Sequence, residues 1–251
     1  MPSIAALGAA YPPSYHAGSA AGLLQKLRDA ARARPLVAAL RERDGSLLDF
    51  GCGSGRFLQL LASRPASDHE LVGYELADSV HVAREGPLTI VRGPPDSLDA
   101  NLADDSVAVV TMNHVIEHLP DPAETLHVVL RKMRSGGLLF GQTPRAGGVE
   151  QRWFGVKWSG FHAPRHTVVF SETGLVRCLT RSGFVDTVAR PAFNPAGYAV
   201  SLAARFGRLG QPIRRSGLAW YSYLAAAAPM AAFELLRPDG ASIMNFSSMK
   251  P

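Results

Sequence analysis

Of the 251 residues, three short stretches concentrate side chains whose types and spacing could do chemistry. WSGFHAPRHTVVFSE (158–172) sets His162, Arg165 and His166 close together around an apolar run. Imidazoles beside a guanidinium can take a proton, grip an anion or ligate a metal, and they can equally form the polar edge of a strand. Pro164 keeps His162 and His166 from sharing a regular helix face, which weakens a metal pair there. MNHVIEHLPDP (112–122) places His114, Glu117 and His118 at i, i+3 and i+4. On an α-helix that spacing shares one face and could serve a divalent ion, although a Glu serving the helix start explains it as simply. LLDFGCGSGRFL (47–58) ends an apolar run in Asp49 and turns through Gly51, Gly53 and Gly55, where a backbone without Cβ atoms can pass close to a ligand.

These groups need a frame to bring them together, and the hydropathy pattern supplies one. SLLDF (46–50), ELVGYEL (70–76), LTIV (88–91), SVAVVTM (106–112) and GLLFGQT (137–143) are short apolar runs, each followed by turn residues or a helical segment. Such alternation signals βαβ units and a parallel sheet with helices on both faces, an α/β fold. DPAETLHVVLRKMRSGG reads as a helix that opens at Asp121-Pro122, carries Glu124 in its first turn and stops at Gly136-Gly137. Residues 172–182 read as another helix, with strands at 183–190 and 241–249. Residues 23–43 suggest one or two amphipathic helices broken near Pro35. The expected organisation is an N-terminal arm and helical cover (1–44), a core (45–191) with a substrate loop at 145–170, an apolar helical lid (192–240) and a closing strand (241–251).

Composition narrows the function classes. An apolar fraction of 47% provides for a real core, and the net charge of +5 comes without a long Lys/Arg block, which favours anionic small ligands over nucleic acid. Two cysteines, Cys52 and Cys178, fit a reduced, cytoplasmic setting, and the N-terminal residues show no secretory pattern. GLAWYSYLAAAAPMAAFEL (217–235) is apolar for nearly a bilayer's width, but its alanines, Pro229 and Glu234 point to buried or lid helices, with membrane contact the lesser reading.

The glycine turn carries Arg56 where a dinucleotide fingerprint needs a third glycine, and no Lys-Ser/Thr pair follows as in a phosphate-binding loop. It resembles instead the first motif of class I S-adenosylmethionine-dependent methyltransferases, an acidic residue followed by Gly-x-Gly-x-Gly. The resemblance extends over about 45–145 and again 165–190, and MNHVIEHLPDP is similar to the ubiquinone-type and the glycan and natural-product subgroup. It implies a Rossmann-like, doubly wound seven-stranded sheet and S-adenosyl-L-methionine as cofactor. It puts Asp49, Gly51, Cys52 and Gly53 at the cofactor, and Glu75, 24 residues after Gly51, with Leu76 at its ribose. Asp96 or the backbone at Ser97 would stand in at the adenine, and Asn113 and His114 would face the sulfonium. Some quinone methyltransferases with a similar motif are metal-dependent, but Glu-His also occurs widely in the subgroup without metal, and no metal is expected here.

His114 either takes the acceptor's proton or packs beside the adenosine. HAPRHTVVFSE keeps the subgroup's Pro164, Arg165, His166, Phe170 and Ser171 but has His162 where an acid is expected. Arg165 and His166 either act on substrate or pin the loop against the sheet. The implied activity is methylation of an oxygen, nitrogen or carbon of a small-molecule acceptor with aromatic or anionic character, natural-product-like, under a lid with Tyr11 and Tyr15. The alternatives are a lipid-linked glycan or quinone acceptor at a membrane surface, and a protein that binds the cofactor without turnover.

Overall fold

The computed structural model describes residues 23–63, 69–77, 79–94, 96–162, 165–206 and 218–251. The arm with Tyr11 and Tyr15, and Pro164, lie outside the described residues.

Eight strands form one sheet: β1 (Ser46–Phe50), β2 (Leu71–Leu76), β3 (His81–Glu85), β4 (Leu88–Gly93), β5 (Val107–Asn113), β6 (Met133–Pro144), β7 (Val185–Ala192) and β8 (Ile243–Met249). Their order is β3-β4-β2-β1-β5-β6-β8-β7. The middle strands pair in parallel, while β8 lies antiparallel between β6 and β7. Every residue of β1 is buried, as a parallel strand covered on both faces requires. Two apolar clusters fill the two faces, one around Val72, Val110, Met112 and Leu139, the other around Leu47, Leu58, Leu71 and Val109.

The sheet has one strand more than the seven expected. The addition, β3, pairs antiparallel with β4 at the edge, and most of HVARE is exposed. A charged, solvated edge strand has no apolar period to betray it, and its polarity discourages pairing with another chain.

Helix α1 (Leu23–Arg41) runs unbroken through Pro35, contrary to the expected break. Ala33, Leu36, Ala39 and Leu40 are buried against the sheet, and that packing outweighs the missing hydrogen bond. Short helices α2 (Arg56–Ala62) and α3 (Asp96–Asn101) follow β1 and β4. Helix α4 (Pro122–Lys132) opens as expected, with the Asp121 carboxylate accepting from the Glu124 N–H. It ends four residues before the glycines, and β6 starts at Met133 and runs through Gly136-Gly137. The buried Lys132 ammonium is the anchor, donating to the Leu102 carbonyl and to Asp104, each at 2.7 Å.

After β6 come α5 (Val149–Phe154) and then α6 (Glu172–Arg181). Helices α7 (Pro195–Phe206) and α8 (Leu218–Leu236) are inserted between β7 and β8 and pack on each other around Tyr198, Ala199, Leu202 and Ala227. No described helix is long and apolar enough to cross a membrane.

Candidate functional site

The strand order reverses between β1 and β5, so the crevice past their carboxyl ends is where an open α/β sheet takes its ligand. Asp49, near the end of β1, is buried, and its Oδ1 accepts from the Thr111 hydroxyl of β5 at 2.5 Å. Burial pushes its carboxyl up to about 6, against the pull of the Thr111 hydrogen bond, while Glu75 adds to the rise and Arg32 opposes it. It caps no helix: the residue ahead of α2 is Gly55.

The turn that follows is held on both sides. The N–H groups of Gly51 and Cys52 donate to the Tyr74 carbonyl at 2.8 and 3.0 Å. The Gly53 N–H donates to Glu75 Oε2 at 2.5 Å, and Arg92 donates to the Gly53 carbonyl at 2.7 Å. Gly51 has φ +80, and a Cβ there would lie 2.4 Å from Val115. At Gly53, φ +56, a Cβ would meet nothing within 4 Å, so this side of the turn faces open space. Burial, with Asp49 and Glu75 nearby, pushes the Cys52 thiol up to about 12, so it stays protonated and contributes packing and its backbone.

Along the rim, Leu76 is 44% exposed at the end of β2. Asp96 is exposed at the start of α3. Ser97 is buried, and both its N–H and its hydroxyl donate to the Pro94 carbonyl, at 3.0 and 2.6 Å. Its backbone donor is therefore committed within the turn, which leaves Asp96 as the polar group of that pair on the rim.

On the other side, Asn113 ends β5 beside Gln142 of β6. His114 follows with φ +56, a strained position for a residue with a side chain. Its Nδ1 lies 3.1 Å from Glu117 Oε1 and its Nε2 3.1 Å from Gln142 Oε1. Arg32 reaches in from α1 to donate to that same Gln142 oxygen at 2.7 Å. Residues Ile116–His118 form a 3₁₀ turn, so His114, Glu117 and His118 do not share an α-helical face. Glu117 is fully buried and also accepts from the Thr143 hydroxyl at 2.9 Å. Burial pushes its carboxyl up, but the His114 hydrogen bond and the neighbouring imidazoles outweigh that and hold it below its ordinary value.

The loop at 158–172 joins this group. Thr167 donates its N–H to the Glu117 carbonyl at 2.8 Å and its hydroxyl to the Leu119 carbonyl at 2.7 Å. His118 Nδ1 lies 3.1 Å from the Arg165 carbonyl, and His166 Nδ1 lies 2.7 Å from the Gly160 carbonyl. Burial pulls both imidazoles below their ordinary value. His162 is exposed, stacks edge-on against His166 and meets the Arg165 guanidinium at 2.9 Å. The structure therefore brings His114, Glu117, His118, Arg165 and His166 to one side of the crevice and Asp49, the glycines and Glu75 to the other. Sequence reasoning missed Arg32, Arg92, Thr111, Thr143 and Gln142. A basic residue late in β4 was the one local cue.

The sheet order, with its reversal at β1 and β5 and its antiparallel β8, together with an acidic strand end leading into a glycine turn, defines a Rossmann-like class I methyltransferase fold. Residues 23–188 match the family model described as a methyltransferase domain, and the chain belongs to that family. Over 114 residues it is 29% identical to a ubiquinone biosynthesis O-methyltransferase of Nitrosomonas europaea, an alignment covering 43% of this chain and 46% of that protein. The chain thus spans less than half the length of that curated relative. A SAM-dependent methyltransferase from Archaeoglobus fulgidus superposes with a TM-score of 0.57 at 18% identity, over 94% of this chain and 97% of that one. Phosphoethanolamine N-methyltransferase 2 of Haemonchus contortus, solved with S-adenosyl-L-methionine, gives a TM-score of 0.56 at 15% identity, over 98% of this chain and 57% of that one.

S-adenosyl-L-methionine is the cofactor of this family, and the residues here fit it. The turn is open at Gly53, a carboxylate is buried at Asp49, and Glu75 stands at the neighbouring strand end.

Proposed function

We propose that the protein is an S-adenosyl-L-methionine-dependent methyltransferase acting on an oxygen, nitrogen or carbon of a small-molecule acceptor, natural-product-like, with aromatic or anionic character. The observation that carries this reading is Asp49: a carboxylate held in a buried site at an energetic cost, beside a glycine turn open to the crevice. A purely structural position would be better filled by an apolar residue.

The bound cofactor supplies a methyl carbon made electrophilic by its sulfonium. Asp49 and Glu75, with the backbone of Gly51, Cys52 and Gly53, hold its polar groups; Leu76 and Asp96 flank the adenosine, and Asn113 faces the reacting end. The chain's remaining tasks are to orient the acceptor, exclude water and accept a proton where the acceptor atom carries one. His114 is the proposed base: Glu117 holds its Nδ1, and Nε2 serves the acceptor by exchanging its Gln142 contact for the acceptor's proton. His166 and Arg165 belong to the acceptor side, where their loop contacts also brace the site.

Calorimetry with S-adenosyl-L-methionine, followed by an acceptor screen that reads S-adenosylhomocysteine release, tests the proposal. Asp49→Ala and Glu75→Ala should lose cofactor affinity with the fold kept. His114→Asn should bind cofactor and lose about 10²-fold or more in turnover. Absence of cofactor binding sinks the reading; binding without release on any acceptor favours a non-catalytic binder.

A second acceptor class has its own observation. Trp153, Leu235 and Leu236 are exposed near Arg152 and Arg237, an apolar and basic combination that suits a membrane surface and a lipid-linked glycan or quinone there. Activity that rises on adding anionic vesicles selects this class, and full activity on water-soluble acceptors without vesicles counts against it.

A further inference from the structure

The methyl-transfer reading uses Glu117 and His166 separately and gives His118 no task, yet the three donors converge. Glu117 and His118 end the 3₁₀ turn after β5, and His166 arrives from the loop at 158–172. One ligating atom from each lies within 4.8 Å of the other two, and the rings of His118 and His166 meet edge to face with centroids 4.5 Å apart.

The surroundings orient all three. A backbone carbonyl only accepts, so the Nδ1 atoms of His118 and His166, at the carbonyls of Arg165 and Gly160, are the protonated ones. That tautomer leaves the lone pair on Nε2 of each ring. An imidazole that ligates a metal through one nitrogen while the other donates to a carbonyl is the usual arrangement around a protein-bound ion. Glu117 is oriented in the same manner, by His114 on one oxygen and Thr143 on the other. Bracing of the loop accounts for the Nδ1 contacts, and attraction to the buried Glu117 carboxylate draws both imidazoles toward it.

We propose that Glu117, His118 and His166 bind one divalent transition-metal ion of the zinc class. Two imidazoles and one carboxylate suit zinc, cobalt(II) or iron(II), whereas magnesium asks for oxygen donors throughout. Bonds of about 2.0–2.1 Å bring tetrahedral ligands to about 3.4 Å of one another, so the widest gap closes by small side-chain rotations. The His114 ring is excluded by its own bond to Glu117, and His162 by its contact with Arg165. The three protein ligands leave a coordination position for water or an acceptor heteroatom, and the ion ties the loop to the end of the sheet. The proposal does not depend on methyl transfer.

The test uses the full chain, stripped with a chelator and titrated with cobalt(II) chloride under visible spectroscopy. One equivalent should bring up the d–d bands of a four- or five-coordinate ion, and zinc should abolish them. His118→Gln and His166→Gln should each weaken cobalt binding about tenfold or more. His127→Gln, an exposed histidine on α4, should leave it unchanged. Thermal melting and S-adenosyl-L-methionine calorimetry on the same variants show that each is folded and separate this outcome from that of the cofactor site. No d–d bands at stoichiometric cobalt, or wild-type cobalt affinity in folded His166→Gln, overturns the proposal.

Discussion

At the residue scale, Asp49 sets function against stability. Burial lifts its carboxyl from 3.8 to about 6, so the folded state holds this proton more tightly than the unfolded chain. Stability from this group is therefore lost as pH rises from near the unfolded value through about 6, and the full cost applies above that. A shift of about two units corresponds to about 3 kcal/mol at most. Asp49→Asn should thus melt higher than the parent near neutral pH, with the difference shrinking as pH falls toward 4, while its cofactor affinity drops. Melting curves across pH check the first part and calorimetry the second; a variant that melts lower at neutral pH refutes the account. The acidic strand end at Asp49 and the glycine turn at Gly51 and Gly53 were legible because a short local motif carries them. Arg92, Thr111 and Arg32 were not, since each reaches the site from a distant segment. For the same reason the approach of His166 to Glu117 and His118 leaves no local pattern.

At the scale of elements, the legible parts were those where burial dictates the period. The run at 46–50 became β1 unchanged, and those at 70–76 and 106–112 became β2 and β5 with boundaries shifted by a residue. Misreadings occurred where tertiary contacts overrule local signals. Packing carries α1 across Pro35, and the Lys132 anchor lets β6 begin ahead of its glycines. The turn between β1 and α2 shows local and tertiary demands agreeing at Gly51, which needs both a positive φ and the absence of a Cβ beside Val115. Gly51→Ala should lose about 1–3 kcal/mol of stability and weaken cofactor binding. Adding Val115→Ala removes the clash but not the backbone strain, so the double variant should recover only part of the loss. Full recovery would show that the left-handed backbone carries no cost there.

At the scale of the whole molecule, the apolar clusters on the two faces of the sheet make its main body, whereas α7 and α8 keep a smaller cluster of their own. The buried residues of α8 include Ala227, Ala231 and Glu234, and a methyl group removes little apolar surface from water. Polar contacts do more of the joining. Burial pushes the Glu150 carboxyl up, and it accepts from Ser201 of α7 at 2.5 Å and from Ser159 at 3.0 Å, while Glu234 accepts from the Asn194 N–H at 3.1 Å. A small cluster held by such contacts opens at lower free energy than the sheet. Amide exchange in 195–206 and 220–236 should therefore outrun that of β1, β5 and β6. Ser201→Ala withdraws one donor from a buried carboxylate, at a cost of about 1.5–3 kcal/mol, so exchange in the helical pair should speed up about tenfold or more while the sheet and cofactor affinity hold. If these helices cover the acceptor, its KM should rise in the same variant. Equal acceleration across the sheet would instead mean that the helical pair and the core unfold as one unit.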